Sequence, residues 1–244
     1  PKILISGRDF KQDYLDRALT LKAFNISGPE FYLEKNATGS QAKSSEPDIY
    51  NLYPAISDIL VWLRLDRLNI ESGRLTFVNN ITGNNTRIEA FPWQFGLEDF
   101  NLDGSNAGEG RIFYSDEVNG SFQNLEWTFP DGTQKISAGS LQFSTAARTL
   151  TLGSVSFDTL NGNVNKHRLA SNIERIVLSG IDYLQLYRNR HYFADRLEII
   201  RSDINLFLPT DRADGAAQTE LPEFGFGEIR FEQGAVSVYH GNIA

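Results

Sequence analysis

The chain has no cysteine and no methionine in 244 residues, and only three histidines and eight prolines. Without cysteine there can be no disulfide and no thiolate metal site. That suits a compartment where stray thiols are a liability, such as the bacterial periplasm. Without methionine, Pro1 is not a translational start, so a fragment of a longer protein is expected. No signal peptide is visible. Long apolar runs are missing too. The longest, Ile59-Leu60-Val61-Trp62-Leu63, falls far short of the ~18 residues that span a bilayer, so any membrane segment is expected outside these residues. Basic runs are absent, and the formal net charge is −8. Such a surface repels nucleic acid and anionic membranes, and no nucleic-acid partner is expected.

Signatures of catalysis are equally scarce. His167, His191 and His240 have no partner at metal-ligand spacing. No G-x-S-x-G occurs. Gly225-Phe226-Gly227 opens like a dinucleotide fingerprint, but Arg230 stands where its third glycine belongs. Asp103 to Glu109 has oxygen-bearing residues at alternate positions without the closing bidentate Glu of a calcium loop. N-x-S/T triplets begin at Asn25, Asn36, Asn80, Asn84 and Asn119, several of them expected by chance. The reading is a non-enzymatic protein with no cofactor.

What is present favours strands: 17 Phe, nine Tyr and three Trp, with frequent Val, Ile and Thr. One phrase recurs. In Leu65-Asp-Arg-Leu68-Asn-Ile70-Glu-Ser-Gly73-Arg-Leu75-Thr-Phe77, bulky apolar residues occupy positions 1, 4, 6, 11 and 13, with a small residue at 9. It reads as two short strands that bend at Glu71-Ser72-Gly73. Leu21, Phe24, Ile26, Phe31 and Leu33 repeat it with Gly28-Pro29 at the bend, and Phe226, Ile229, Phe231, Val236 and Val238 with Gly234. Leu197, Ile199, Ile204 and Leu206 fit with Ser202 at the bend and Ala194 at the first position. A fifth copy begins Ile173, Ile176, Leu178, then slips by one to Leu184 and Leu186. With roughly a third of residues bulky and apolar, such a pattern arises about once by chance in a chain this long.

Along the chain, Lys2 to Ser6 reads as a buried strand and Gly7 to Arg17 as polar. Strands follow near Leu19–Ile26 and Glu30–Glu34. The small polar stretches at 35–47 and 209–222 read as flexible loops. Asp48 to Leu63 carries a stripe spaced 3 and 4 apart, an amphipathic helix regular from about Pro54 to Trp62. A strand near Thr86–Ala90 precedes an alternating stretch at Leu97, Phe100 and Leu102. From Arg111 to Phe157, five alternating pairs (Ile112/Tyr114, Leu125/Trp127, Leu141/Phe143, Leu150/Leu152, Val155/Phe157) predict an up-and-down meander of about five strands. Its breaks are Asn119-Gly120, Asp131-Gly132 and Ala146-Ala147-Arg148, and Asn161-Gly162-Asn163 ends it. Ala244 follows a strand, which leads to the expectation that more sheet follows.

The phrase at Leu65–Phe77, the helix before it and the stretch from Lys135 to Phe157 resemble the AsmA-like family of Gram-negative envelope proteins, with TamB, YhdP and the chorein-type lipid-transfer bridges as relatives. The resemblance implies a long curved sheet with an apolar groove that carries acyl chains across the periplasm. It implies a parent protein anchored in the inner membrane, contacts with the inner or outer membrane, and envelope partner proteins. No catalytic residues come with it. Two features depart from the family: the anchor helix is missing and the copies are unevenly spaced.

The expected fold is therefore all-β, a single domain over 1–244: an elongated twisted antiparallel sheet, curved into a groove or half-barrel, with one short amphipathic helix. The groove would be lined by Leu68, Ile70, Leu75, Phe77, Leu197, Ile199, Ile204, Leu206, Ile229, Phe231, Val236 and Val238. The same residues would instead fill the core of a closed sandwich. Two other functions stay open. One is an extracytoplasmic scaffold engaged through sheet edges or the loops at 35–47 and 209–222. The other is a carbohydrate-binding β-sandwich using exposed Trp93, Trp127, Tyr187 and Tyr192.

Overall fold

The computed structural model describes residues 1–7, 10–36, 53–81, 84–104, 110–129, 134–159, 168–189, 191–208 and 224–240. Their order is β1 (Lys2–Gly7), α1 (Phe10–Leu15), β2 (Ala18–Ser27), β3 (Glu30–Asn36), α2 (Tyr53–Ile56), β4 (Trp62–Ile81), β5 (Asn84–Asp103) and β6 (Glu117–Thr128). There follow β7 (Gln134–Ser144), β8 (Thr149–Thr159), β9 (Arg168–Ser179), α3 (Tyr183–Asn189), β10 (Tyr192–Leu208), β11 (Phe224–Glu232) and β12 (Ala235–His240). All twelve strands join one twisted, curved sheet that does not close into a barrel. Its middle, β4 to β10, is an antiparallel meander in sequence order.

Parallel pairs lie near both ends of the sheet, inside the first edge, where β1 runs antiparallel to β2, and the recurring phrase explains them. β2 and then β3 lie along β4, with Leu21 beside Leu65, Phe24 beside Leu68, Ile26 beside Ile70, Phe31 beside Leu75 and Leu33 beside Phe77. β11 and then β12 lie along β10, with Ala194 beside Phe226, Leu197 beside Ile229, Ile199 beside Phe231, Ile204 beside Val236 and Leu206 beside Val238. Copies of the phrase thus pair position by position. The sheet is mixed rather than purely antiparallel: these four copies pair parallel, while the first half of the fifth lies antiparallel on β10, with Ile176 beside Ile199 and Leu178 beside Leu197.

The bend is one left-handed residue at the eighth position of each copy. Gly28, Ser72, Arg201 and Gln233 have φ of 63°, 53°, 48° and 54°. Side chains alternate along a strand, so Leu68 and Ile70 would face away from Leu75 and Phe77 on an unbroken strand. The left-handed residue slips the alternation by one and returns all four to one face. The line continues through the meander at Asn124 (φ 50°) and Ser154 (φ 52°), which share a row with Gly139, Glu174 and Arg201. One crease therefore runs from β6 to β12, and the bends of β2–β3 and β4 meet it across the register shifts between β4 and β5. β4 and β10 are each a single bent strand rather than two.

Several expectations are corrected. β1 is an edge strand, not a buried one: Ile3, Leu4 and Ile5 are 59%, 57% and 48% exposed. The helix over Pro54–Trp62 shrinks to the single turn α2. Arg17 donates to the carbonyls of Ser57, Asp58 and Ile59, and Val61 N donates to Arg17 O at 2.6 Å, which draws the chain into the sheet at Trp62. Helices α1 and α3 had no forecast. The second half of the fifth copy, Leu184 and Leu186, lies in α3. Left-handed Gly180 (φ 70°) ends β9, and Asp182 Oδ1 accepts from Gln185 N to start the helix.

The stretch 111–157 holds three strands, not five. Ile112 and Tyr114 belong to a turn, in which Tyr114 (2% exposed) packs edge-on against Phe100. Leu150 to Phe157 is one strand creased at Ser154, and Thr86 to Leu102 is likewise one strand, β5. Asn119-Gly120 lies inside β6. Gly120 sits under the Phe143 ring, where any Cβ would overlap it, so this glycine answers to packing and not to a turn. The turn at Ala146-Ala147-Arg148 joins β7 to β8 as expected. Residues 131, 132, 161–163, 37–47 and 209–222 lie outside the described residues.

The most buried cluster is Ala138, Val155 and Ile173 beside the crease, with Leu125, Leu152, Ile176 and Ile199 packed around it. The chain exposes 16221 Å², against roughly 11,000 Å² for a compact monomer of this mass. Among the described residues the strands rest on their neighbours and not on a second sheet, an arrangement that leaves more surface exposed than packed layers do.

Candidate functional site

The cross-strand register collects the apolar residues of nearly every strand on one face. One row runs Leu33, Phe77, Ile88, Trp127, Ile136, Phe157. Across the crease a second runs Trp93, Phe122, Leu141, Leu152, Ile176, Ile199, Phe231. A third runs Leu68, Leu97, Val118. From β2 to β11 the face crosses nine strand positions, or roughly 40 Å at ~4.8 Å per strand. No second sheet lies on it among the described residues.

All twelve expected lining residues lie on this face, but at its two ends. Leu68, Ile70, Leu75 and Phe77 come from β4, Leu197, Ile199, Ile204 and Leu206 from β10, and Ile229, Phe231, Val236 and Val238 from β11 and β12. The first eight are half-buried. The last four are 54%, 56%, 62% and 50% exposed, because no described strand flanks β11 and β12 on their far side. The middle of the face, from Phe95 through Phe122, Leu141 and Leu152 to Ile176, was missed as a site. Its signal was readable in Phe122, Leu125, Trp127 and in Ala138, Leu141, Phe143, where the same one-residue slip occurs that marks the phrase.

Aromatic packing shapes the N-terminal half. Gly73 has no side chain, and a Cβ there would overlap the Trp93 indole. The ring therefore lies across β4, 5.6 Å from Phe31 on one side and 6.0 Å from Phe122 on the other. Trp93 is 7% exposed, and Tyr187 packs against Phe113 at 5.0 Å. Trp127 stacks on Phe129 at 5.1 Å. The four aromatics weighed for sugar binding do not form a flat exposed platform, and the two-sheet core of a sandwich is not found among the described residues.

Three polar atoms are buried on or beside this face without a hydrogen bond among the described residues: Trp93 Nε1, Ser171 Oγ and Ser202 Oγ. The reverse face is polar and laced with exposed ion pairs, among them Arg67–Glu98 (3.3 Å), Lys135–Glu126 (3.0 Å), Arg201–Glu174 (2.6 Å) and Arg196–Glu228 (2.7 Å). The hydrogen bond from Arg196 holds the Glu228 carboxyl below its usual range, and Arg87 does the same for Glu89. Exposed pairs of this kind contribute little stability each; they keep that face wet.

Where the turns after β5, β7 and β9 meet, a cleft of about 350 Å³ lies between the Ile112–Asp116 turn, Arg148 and Tyr183. Tyr183 donates to Thr149 O at 2.6 Å, and burial pushes its phenol up to about 12. Arg148 is engaged by the carbonyls of Gly180 and Ile181. Among the described residues no group of acidic or histidine side chains is placed to hold a metal ion, and no helix is long and apolar enough to cross a membrane. No protein-family model, curated protein or solved structure was found to match the chain.

Proposed function

We propose that the chain is a segment of an AsmA-like envelope protein that binds acyl-chain lipid along the apolar face of its sheet, in transfer between membranes or in outer-membrane upkeep. The observation that carries this reading is the continuity of the face. Every strand from β4 to β10 contributes apolar side chains in register, and the crease keeps those on either side of it on one face. An apolar face of this size draws apolar partners. Each methylene it removes from water contributes about 0.8 kcal/mol, less the cost of ordering the chain. No reaction is implied, and on this reading membrane anchoring belongs to parts outside these residues.

The test is native mass spectrometry of the gently purified protein, with solvent extraction and lipid identification. Co-purifying acyl-chain lipid is expected, and Leu75→Asp with Leu206→Asp should release it while circular dichroism stays β-rich. An apo mass for the unmodified protein, with no lipid in the extract, would overturn the reading.

A further inference from the structure

We infer that the outer edge of β11 and β12 is a docking surface for one more extended segment, laid parallel, bent at the crease, and carrying a basic residue at its third position and an acidic one at its fifth. The inference does not depend on what the apolar face carries. It rests first on repeated pairing: at both ends of the sheet a copy of the phrase lies parallel on its neighbour, matched position by position. β11 and β12 present outward the pattern that β10 presents to them. Gln233 and Gly234 continue the crease, and Ile229, Phe231, Val236 and Val238 continue the apolar face while remaining at least half exposed.

Charge selects the occupant. On the polar face β11 alternates Glu228, Arg230, Glu232. β10 meets the first two with Arg196, 2.7 Å from Glu228, and Glu198, 3.8 Å from Arg230. A second copy's β11 laid parallel in the same register would set Glu228 beside Glu228 and Arg230 beside Arg230, which like-charge repulsion opposes. A segment with the charge order of β10 sets an opposite charge beside both Glu228 and Arg230. Edge charges of this kind turn away unselected strands and leave strand addition open to a complementary one.

The probe is a synthetic peptide of the β10 sequence, residues 192–208, shown to be monomeric by ultracentrifugation and added to the 244-residue chain. Binding followed by fluorescence anisotropy should saturate, and hydrogen exchange should slow at amides within 224–240. A spin label at the peptide's N-terminus should broaden signals near Phe226, as parallel docking requires. The peptide with Arg196→Glu and Glu198→Arg should bind at least tenfold more weakly. Absence of saturable binding, equal affinity for both peptides, protection confined to other strands, or broadening near Val238 instead of Phe226 would each overturn the inference.

Discussion

At single positions, the crease sets what is tolerated. Gly73 is required by its neighbour: an added Cβ would overlap the Trp93 indole, which is itself wedged between Phe31 and Phe122. Gly73→Ala is expected to cost about 1–3 kcal/mol, the range for overpacking, and to lower the thermal midpoint. Ser72 presents the opposite case. Its φ of 53° is strained for any residue with a Cβ, and its side chain is exposed. Ser72→Gly is expected to be neutral or to stabilise by up to ~1 kcal/mol in urea unfolding, since relief of strain competes with the freedom glycine adds to the unfolded chain. These opposite signs at adjacent residues follow from φ at one and contact at the other.

At the level of elements, the slip in alternation is what lets a long bent strand keep one apolar face. Deleting Ser72 should therefore do more harm than any substitution there. It would turn Leu75 and Phe77 toward the polar side, and loss of the cooperative melting transition is expected. α3 offers a milder probe. Tyr183, half-buried with its hydroxyl on Thr149 O, has its pKa raised to about 12. The native state keeps this proton where an unfolded tyrosine, with a pKa near 10, has released it. Its contribution is thus full below about pH 10 and is lost as the pH rises toward 12. Tyr183→Phe should flatten that part of the stability profile, seen by comparing urea midpoints of both proteins between pH 9 and 12. The elements that periodicity misjudged are short ones under local control. α2 is cut off by the side chain of Arg17, α3 is begun by Asp182, and the turn at Ile112–Ser115 is pinned by Arg111, which donates to Asp99 O and pairs with Asp116. Arg17 and Asp99 lie far from the segments they hold, and Arg111, Asp116 and Asp182, though near, are polar and leave no mark in a sliding pattern of apolar residues.

Over the whole molecule, the described residues form one creased sheet, with no second sheet packed on it among them. Its dimensions should exceed those of a compact protein. Small-angle scattering is expected to give a radius of gyration above the ~18 Å of a globular chain of 244 residues; a value at or below it would mean that the apolar face is covered by folding over. Residue types and their spacing were enough to establish an all-β chain, a bent apolar phrase and the apolar character of one strand face, because alternation and its one-residue slip are local properties of the backbone. That the twelve expected residues share one face was legible for that reason. Spacing could not show that copies of the phrase pair parallel and in register, that their bends line up into one crease, or that Gly120 and Gly73 yield to rings from neighbouring strands. Nor could it choose between a closed sandwich and a single open sheet. Those outcomes depend on which strands become neighbours, and pairing between residues far apart in the chain is settled by the fit of whole faces, which no short stretch of sequence contains.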